Sequence, residues 1–433
     1  MQYCSSILQN GLKIVYLPST STVSYCGFAI DAGTRDENPN EYGLAHFVEH
    51  TLFKGTKKRK AWHILNRMEN VGGELDAYTS KEETMIYTVC LSEDVERAVE
   101  LLTDLVFNAQ FPEPELEKEK EVIIDEINSY LDTPSDLIFD EFENLLFEGN
   151  ELGHNILGDA KSLETFTRET CRSFTSRFYN PSNMVFFFYG KTPFKKILRL
   201  ANKYMLIENQ SISKESCHCG HSVAKTRNLL IISSNFQEMA GQARHDSISK
   251  QYKQVKIDKD LHQTHVVLGG KTFSIFDERR IGLYLLNNIL GGPGMNSRLN
   301  VSLREKRGLV YSVESGLTFF TDTGLFSIYF GCDRESESKC LNLVHKELKR
   351  LRENKLSGSQ FTTAVKQWKG QLGILSNQSE NLALGLGKSF LRFNRYDDLP
   401  EVYRKIDSLT ISQLLEIANE IYDENKLFTL IYQ

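Results

Sequence analysis

Leu44-Ala45-His46-Phe47-Val48-Glu49-His50-Thr51-Leu52-Phe53 has the spacing of a helix with two unlike faces. At about 100° per residue, Leu44, Phe47, Val48, Thr51 and Leu52 fall on one side. His46, Glu49, His50 and Phe53 fall on the other. Residues four apart stand one above the other, so both imidazoles can reach one metal ion while Glu49 lies on the adjacent strip. One face packs and the other is available for chemistry. Three fixed letters in five residues also suit an ordinary solvated helix face, so the pattern alone leaves both readings open.

A catalytic metal site wants three protein ligands and one open position. The third is sought downstream, in Glu119-Lys-Glu-Val-Ile-Ile-Asp-Glu126-Ile-Asn-Ser-Tyr130, a strongly helical stretch. Val122, Ile123, Glu126, Ile127 and Tyr130 share one stripe, with Glu119 two turns before Glu126. A carboxylate in an apolar stripe is expected to need a cation or a proton; a metal would serve, and so would a Lys or Arg. Glu113, Glu115, Glu117 and Glu121 suit a solvated face and the negatively charged start of that helix. The order H-x-x-E-H reverses the H-E-x-x-H arrangement of zinc peptidases, in which two His bind the metal and the Glu stays free as general base.

The chain resembles the pitrilysin, insulin-degrading enzyme and mitochondrial processing peptidase family of zinc metallopeptidases. Glu126 stands 126 − 50 = 76 residues beyond the motif and 126 − 119 = 7 beyond Glu119, the spacing of the family's third ligand and its supporting Glu. The flanks Gly43-Leu44-Ala45 and Leu52-Phe53-Lys54-Gly55-Thr56 match as well. Gly72-Gly73-Glu74-Leu75-Asp76-Ala77-Tyr78-Thr79-Ser80 resembles the family's glycine pair and following strand, with Asp76 where the family usually has Asn. Further on, Arg304 and Tyr311 (311 − 304 = 7) match the family's Arg–Tyr pair; alone they read as a helix-surface charge and a strand residue.

The resemblance implies one Zn2+ per chain on His46, His50 and Glu126. Glu49 would carry a proton from water to the leaving amine, and Glu119 would orient a ligand through His50. Substrate would lie extended against the strand at Asp76, Ala77 and Tyr78, where an acidic side chain would alter which peptides are preferred. Arg304 and Tyr311 would bind the substrate backbone and the developing oxyanion. The family's long members enclose a chamber with four modules; this chain has two, half of such a clamshell. The expectation is therefore a homodimer with a composite active site, Arg304 and Tyr311 serving the partner's zinc. The alternative is a non-catalytic, substrate-positioning subunit of a heteromeric processing peptidase.

An internal duplication supports the two-module reading. The segment 167–189 reads TRETCRSFTSRFYNPSNMVFFFY and 410–432 reads TISQLLEIANEIYDENKLFTLIY, with Thr167/Thr410, Tyr179/Tyr422 and Tyr189/Tyr432 all 243 apart. Gly43-Leu44 and Gly282-Leu283, like Asp94 and Asp333, are 239 apart. Where the first half carries AHFVEH, the second carries Tyr284-Leu-Leu-Asn-Asn-Ile, with no ligand set. Strand-like runs at 12–17, 24–30, 184–189, 229–232, 265–268, 325–330 and 427–432 alternate with helical ones, and 85–91 closes a hairpin after 77–79. The class expected is α+β: two homologous modules, each a mostly antiparallel sheet packed with helices. The divisions are 1–205 for the zinc-binding module, 206–259 for a polar linker carrying one strand, and 260–433 for the module with Arg304 and Tyr311.

Composition narrows the function classes. With 433 residues, 40% hydrophobic and 25% charged, the chain suits two globular halves of about 200 residues each. A net charge of −6 argues against nucleic acid. No run approaches the ~20 apolar residues that span a membrane. The N-terminus has neither a basic start with an apolar core nor an Arg-rich amphipathic pattern, and eight Cys lack a framework spacing. These features lead to the expectation of a cytoplasmic protein with reduced thiols. Cys217-His218-Cys219-Gly220-His221 is the other metal-suggestive cluster, but alternating ligands this close cannot readily surround one ion.

Overall fold

Among the described residues, strand composition and turn chemistry produce eleven strands in two sheets. The structure, a computed structural model, describes residues 3–206 and 253–433; the run at 229–232 and the cluster at 217–221 lie outside them. The first sheet contains β1 (Cys4–Ile7), β2 (Lys13–Pro18), β3 (Val23–Ile30), β4 (Glu74–Thr79), β5 (Thr84–Leu91) and β6 (Met184–Gly190). The second contains β7 (Lys253–Ile257), β8 (Thr264–Thr272), β9 (Val310–Phe319), β10 (Gly324–Cys332) and β11 (Phe428–Tyr432). Their orders are β1-β2-β6-β3-β5-β4 and β7-β11-β8-β10-β9. With β1 set aside, the two orders are the same, strand for strand. Among the described residues only β2–β6 and β7–β11 pair in parallel, again at equivalent places.

The duplication extends to helix caps. Thr167 accepts a hydrogen bond from the backbone N–H of Thr170 and starts the helix Arg168–Phe178; Thr410 does the same with Gln413 for Ile411–Ile421. Tyr179 and Tyr422 stand at the C-terminal ends of those helices. The glycine pairing is looser. Gly43 precedes its helix in the left-handed region, at φ +94°, whereas Gly282 lies inside the helix Arg280–Gly291, which begins earlier in its repeat.

Both sheets are covered on both faces, and the second cover comes from the other half. In β6 every residue from Met184 to Gly190 is buried, a continuous run that a sheet with one wet face would not show. Phe186 and Phe188 join Ile14, Phe28 and Ile86 beneath the first half's own helices. Val185, Phe187 and Tyr189 point the other way, onto Ala383, Leu386 and Phe390 of the helix Ser379–Phe393. Conversely, Leu137, Ile138 and Phe142 of the helix Pro134–Leu146 pack on Val267, Leu325, Leu430 and Tyr432 of the second sheet. The halves thus exchange one helix each. At Gly387 the approach is so close that a Cβ would meet Phe187 Cδ1 at 2.7 Å.

Polar links join the same surfaces. Lys388 pairs with Glu83 at 2.6 Å, Arg35 with Asp322 at 2.5 Å, and Arg392 with Asp31. The strand Lys253–Ile257, which the sequence reading counts with the linker, belongs to the second sheet as the parallel neighbour of β11. Among the described residues no helix is long and apolar enough to cross a membrane.

Candidate metal centre

The motif helix, Leu44–Leu52, has no side-chain cap of its own because its N-cap is Gly43. A distant acid takes that role. Buried Glu37 accepts from the N–H of Gly43 at 2.9 Å and of Ala45 at 2.7 Å. His154 Nε2 lies 3.1 Å from both Glu37 Oε2 and the carbonyl of Thr34. Both are acceptors, so that nitrogen carries the hydrogen. A carboxylate at a helix N-terminus also meets the positive end of the macrodipole. Gly43 is required twice over: its φ is positive, and a Cβ there would meet the Leu157 carbonyl at 2.6 Å.

The packed face of the motif helix is fully buried at Leu44, Phe47, Val48, Thr51 and Leu52. On the other face the rings of His46 and His50 have centroids 4.5 Å apart. The helix Glu113–Leu131 brings Glu126 opposite them, its Oε2 3.8 Å from His46 Nε2 and 3.6 Å from His50 Nε2. One nitrogen from each His and one Glu126 oxygen lie within 4.8 Å of one another, the only such set of three or more His, Cys, Asp or Glu among the described residues. The separations approach the ~3.3 Å edge of a tetrahedron drawn with ~2.0–2.1 Å bonds. Burial, with the His50 charge adding to it, pulls the His46 pKa down to about 3. Its imidazole is therefore neutral, the form that offers a lone pair to a metal. Two imidazole nitrogens and a carboxylate oxygen fit a zinc-type ion.

The surroundings of the two acids differ from the sequence expectation. Glu126 is not embedded in an apolar stripe: its side chain is 44% exposed, and Val122 beside it is 49% exposed. The helix docks through Leu116, Glu119 and Ile123 instead, and what faces the Glu126 carboxylate is the pair of imidazoles. Glu119 is the buried acid. Its Oε2 lies 3.3 Å from His50 Nδ1, and its Oε1 accepts from Lys54 Nζ at 2.6 Å. The His50 ring is therefore bracketed, Glu119 at one nitrogen and Glu126 at the other.

Lys54 and Glu37, which hold Glu119 and cap the motif helix, are contacts of this candidate site that sequence reasoning missed. Lys54 stands one turn beyond His50, which was a usable signal; Glu37 sits in a loop with none.

Glu49 is half-buried, and its Oε2 has no hydrogen-bond partner. Burial raises its pKa above the ordinary carboxylate value; neighbouring Thr79 and His50 oppose that rise, and Asp76 and Glu126 add to it. A carboxylate held off from salt bridges on the ligand face is free to take a proton.

β4 is the last strand of its sheet, so its outer edge has no strand partner among the described residues. Its alternation separates the three residues expected to meet substrate. Ala77 packs toward the motif helix's core, whereas Tyr78 faces the exchanged helix, with Lys388 Nζ 5.0 Å from its ring centroid. The Tyr78 side chain is thus engaged within the fold and leaves its backbone to the edge. Asp76 Oδ1 accepts from the Ala77 N–H at 2.8 Å, and Oδ2 accepts from the Tyr87 hydroxyl at 3.1 Å. Tyr87 also reaches Glu380 at 2.7 Å, so one phenol hydrogen serves two carboxylates.

Arg304 and Tyr311 come together, but not at the metal cluster. Arg304 lies in a π-helical turn, Asn300–Glu305, its guanidinium 6.0 Å from the ring centroid of Tyr311. Tyr311 is 85% exposed on β9, the edge strand of the second sheet and the counterpart of β4. Neither makes a hydrogen bond or ion pair with His46, Glu49, His50 or Glu126 within the chain.

Comparison with known proteins identifies the family. Residues 13–160 match the family described as Insulinase (Peptidase family M16), and 165–368 match the one described as Peptidase M16 inactive domain. A Rickettsia bellii chain called an uncharacterized zinc protease is 31% identical over 428 residues, 98% of this chain and 96% of that one. The Bacillus subtilis chain called uncharacterized zinc protease YmxG is 29% identical over 426 residues, 98% and 96% of the two chains. The fold is that of a Helicobacter pylori protease (TM-score 0.83, 21% identity, covering 100% of this chain and 99% of that one). It is also that of a Pseudomonas fluorescens protein described as a peptidase M16 inactive domain (0.85, 20%, 100% and 98%). The chain belongs to the M16 (insulinase) peptidase family, with His46, Glu49, His50 and Glu126 all in its first half.

Proposed function

We propose that this chain is a zinc-dependent endopeptidase that hydrolyses extended, unfolded peptides. The observation that carries the reading is the convergence of His46, His50 and Glu126 on one point beside an unpaired Glu49 oxygen. Zinc bound there would supply Lewis acidity towards a peptide carbonyl and lower the pKa of water towards ~7. Glu49 takes the proton of the attacking water on Oε2 and delivers it to the departing amine nitrogen as the C–N bond breaks. Glu119 holds the His50 ring through Nδ1, and Lys54 holds Glu119 in turn. Peptide backbone adds to the free edge of β4, which selects chains already extended.

Arg304 and Tyr311 bind substrate backbone and the developing oxyanion. Their distance from any contact with the cluster in one chain favours a homodimer in which they serve the partner's centre. Mixing inactive Glu49→Gln chains with inactive Arg304→Ala chains tests this: activity returns in mixed dimers if the pair acts in trans, and stays absent if it acts in cis. The peptidase itself is tested by offering a pool of unfolded ~20-residue peptides, comfortably extended at ~3.3 Å per residue, with mass-spectrometric readout. Cuts that vanish in Glu49→Gln, with bound zinc unchanged, support the reading. No cuts by a zinc-loaded dimer would favour a substrate-positioning subunit instead.

A further inference from the structure

The strand β4 carries one side chain to which no role has yet been given. Strand alternation puts Thr79 on the face of Ala77, which packs toward the motif helix, and opposite to Tyr78. Two buried atoms are left there without a hydrogen bond: Thr79 Oγ1 and Glu49 Oε2. One can donate and the other accept. Burial raises the Glu49 pKa, and the Thr79 hydroxyl is the foremost of the neighbours that oppose the rise. The hydroxyl therefore stands beside the carboxylate.

We propose that Thr79 is a positioning residue for Glu49: its hydroxyl donates to the carboxylate and fixes the orientation in which that group meets the attacking water. The inference rests on the peptidase reading above. A carboxylate has about four lone-pair sites, so one donor leaves room for the proton that Glu49 takes up. A buried donor and a buried acceptor left apart have each lost their hydration, and joining them removes both costs at once. Without such a stop the carboxylate would spread over several orientations, and catalysis falls steeply when a reacting group is misplaced.

The neighbouring hydroxyls are committed elsewhere. Thr84, the partner of Thr79 across the β4–β5 pairing, donates to the Ala32 carbonyl at 2.9 Å, and Ser80 donates to the Glu83 carbonyl at 3.1 Å. Among the described residues no Lys or Arg pairs with Glu49. The second half offers the contrast. At the offset of 239, Glu49 corresponds to Asn288 and Thr79 to Thr318, and Thr318 is exposed on β9. The hydroxyl is buried in the half that has a base, and its counterpart lies open in the half that has none.

Two measurements on the zinc-loaded full chain test the proposal. The first is a double-mutant cycle of Thr79→Val and Glu49→Ala in denaturant unfolding, which needs no activity. Valine keeps the branched shape and the strand preference of threonine, so the backbone of β4 is undisturbed. The two changes should be non-additive, coupled by about tenfold in the folding equilibrium constant, as for a hydrogen bond to a charged group. Additive effects would overturn the contact. The second is peptide cleavage, in which Thr79→Val should lower kcat about tenfold or more with KM and bound zinc unchanged. Thr79→Ser, which keeps the hydroxyl, should restore most of the rate, and Thr79→Val should add nothing in a Glu49→Ala chain. A wild-type kcat in Thr79→Val, or a loss that appears in KM or zinc content instead, overturns the role. If wild type cuts no peptide at all, the peptidase reading fails, and the unfolding cycle still decides whether Thr79 holds Glu49.

Discussion

The helices Leu44–Leu52 and Arg280–Gly291 occupy equivalent places over sheets of identical strand order, and they have been put to different uses. At an offset of 239, His46, Glu49 and His50 correspond to Leu285, Asn288 and Ile289. Leu285 is fully buried. The polar residue that matters in the second helix is Asn287, whose side chain donates to the Ser315 carbonyl at 3.0 Å and whose carbonyl accepts from the Ser315 hydroxyl at 3.2 Å. It clamps β9, the strand that carries Tyr311. One scaffold thus presents two imidazoles and a carboxylate on an open face in one half and a fastening for an edge strand in the other. A repeat does not have to repeat its chemistry, because the core face and the opposite face of a helix evolve under separate constraints.

The comparison breaks most readily at Glu49. If the first half alone holds the base, Glu49→Gln should lower peptide cleavage by about 10²–10⁴-fold while leaving bound zinc in place. Residual cleavage near the wild-type rate would mean that another group does this work. On the second half, Arg304→Ala should reduce kcat by about 10²-fold or more, as loss of an oxyanion donor does, with zinc content unchanged. An effect on zinc content there would contradict the division of labour.

Glu119→Gln sharpens the first half's side of the contrast. It removes the charge between His50 and Lys54 and should weaken zinc binding by about 10–100-fold, read by competition with a chelator. The smallest effect concerns the exchanged helices. Gly387→Ala forces a methyl group against Phe187 and should lower stability by about 1–3 kcal/mol in denaturant unfolding, without touching either site. No loss would show that the helix over the first sheet has room the structure does not provide.

Much of this was written locally. The two faces of the motif helix follow from spacing within ten residues, and the capping Thr167 and Thr410 from a three-residue pattern. Strands such as β6 announce themselves by an unbroken apolar run. The placing of Glu119 and Glu126 on one side of a second helix rests on their seven-residue separation, and the structure brings both to His50. What spacing could not tell was their environment, since a helix wheel gives azimuth and not what lies opposite. Glu126 was expected among apolar side chains and instead stands at a half-open rim facing imidazoles. The strand at Asp76 to Tyr78 was expected to offer its main chain to substrate; what spacing could not tell was that the Tyr78 ring lies against Lys388 of the exchanged helix.

Periodicity, motif order and duplication are properties of neighbouring residues, because the backbone geometry of a helix or strand repeats every two to four positions. These features carried the fold class and the placing of His46, Glu49 and His50 on one helix face, while the choice of Glu126 beside them came from the family resemblance. The Glu37 cap on the motif helix, the Lys54 support of Glu119, the place of Lys253–Ile257 in the second sheet and the exchange of helices between halves are another matter. Each depends on which surfaces meet after the chain has closed loops of tens to hundreds of residues. That choice is made by the summed burial of two complementary faces and not by any local pattern. Tertiary packing alone decided it.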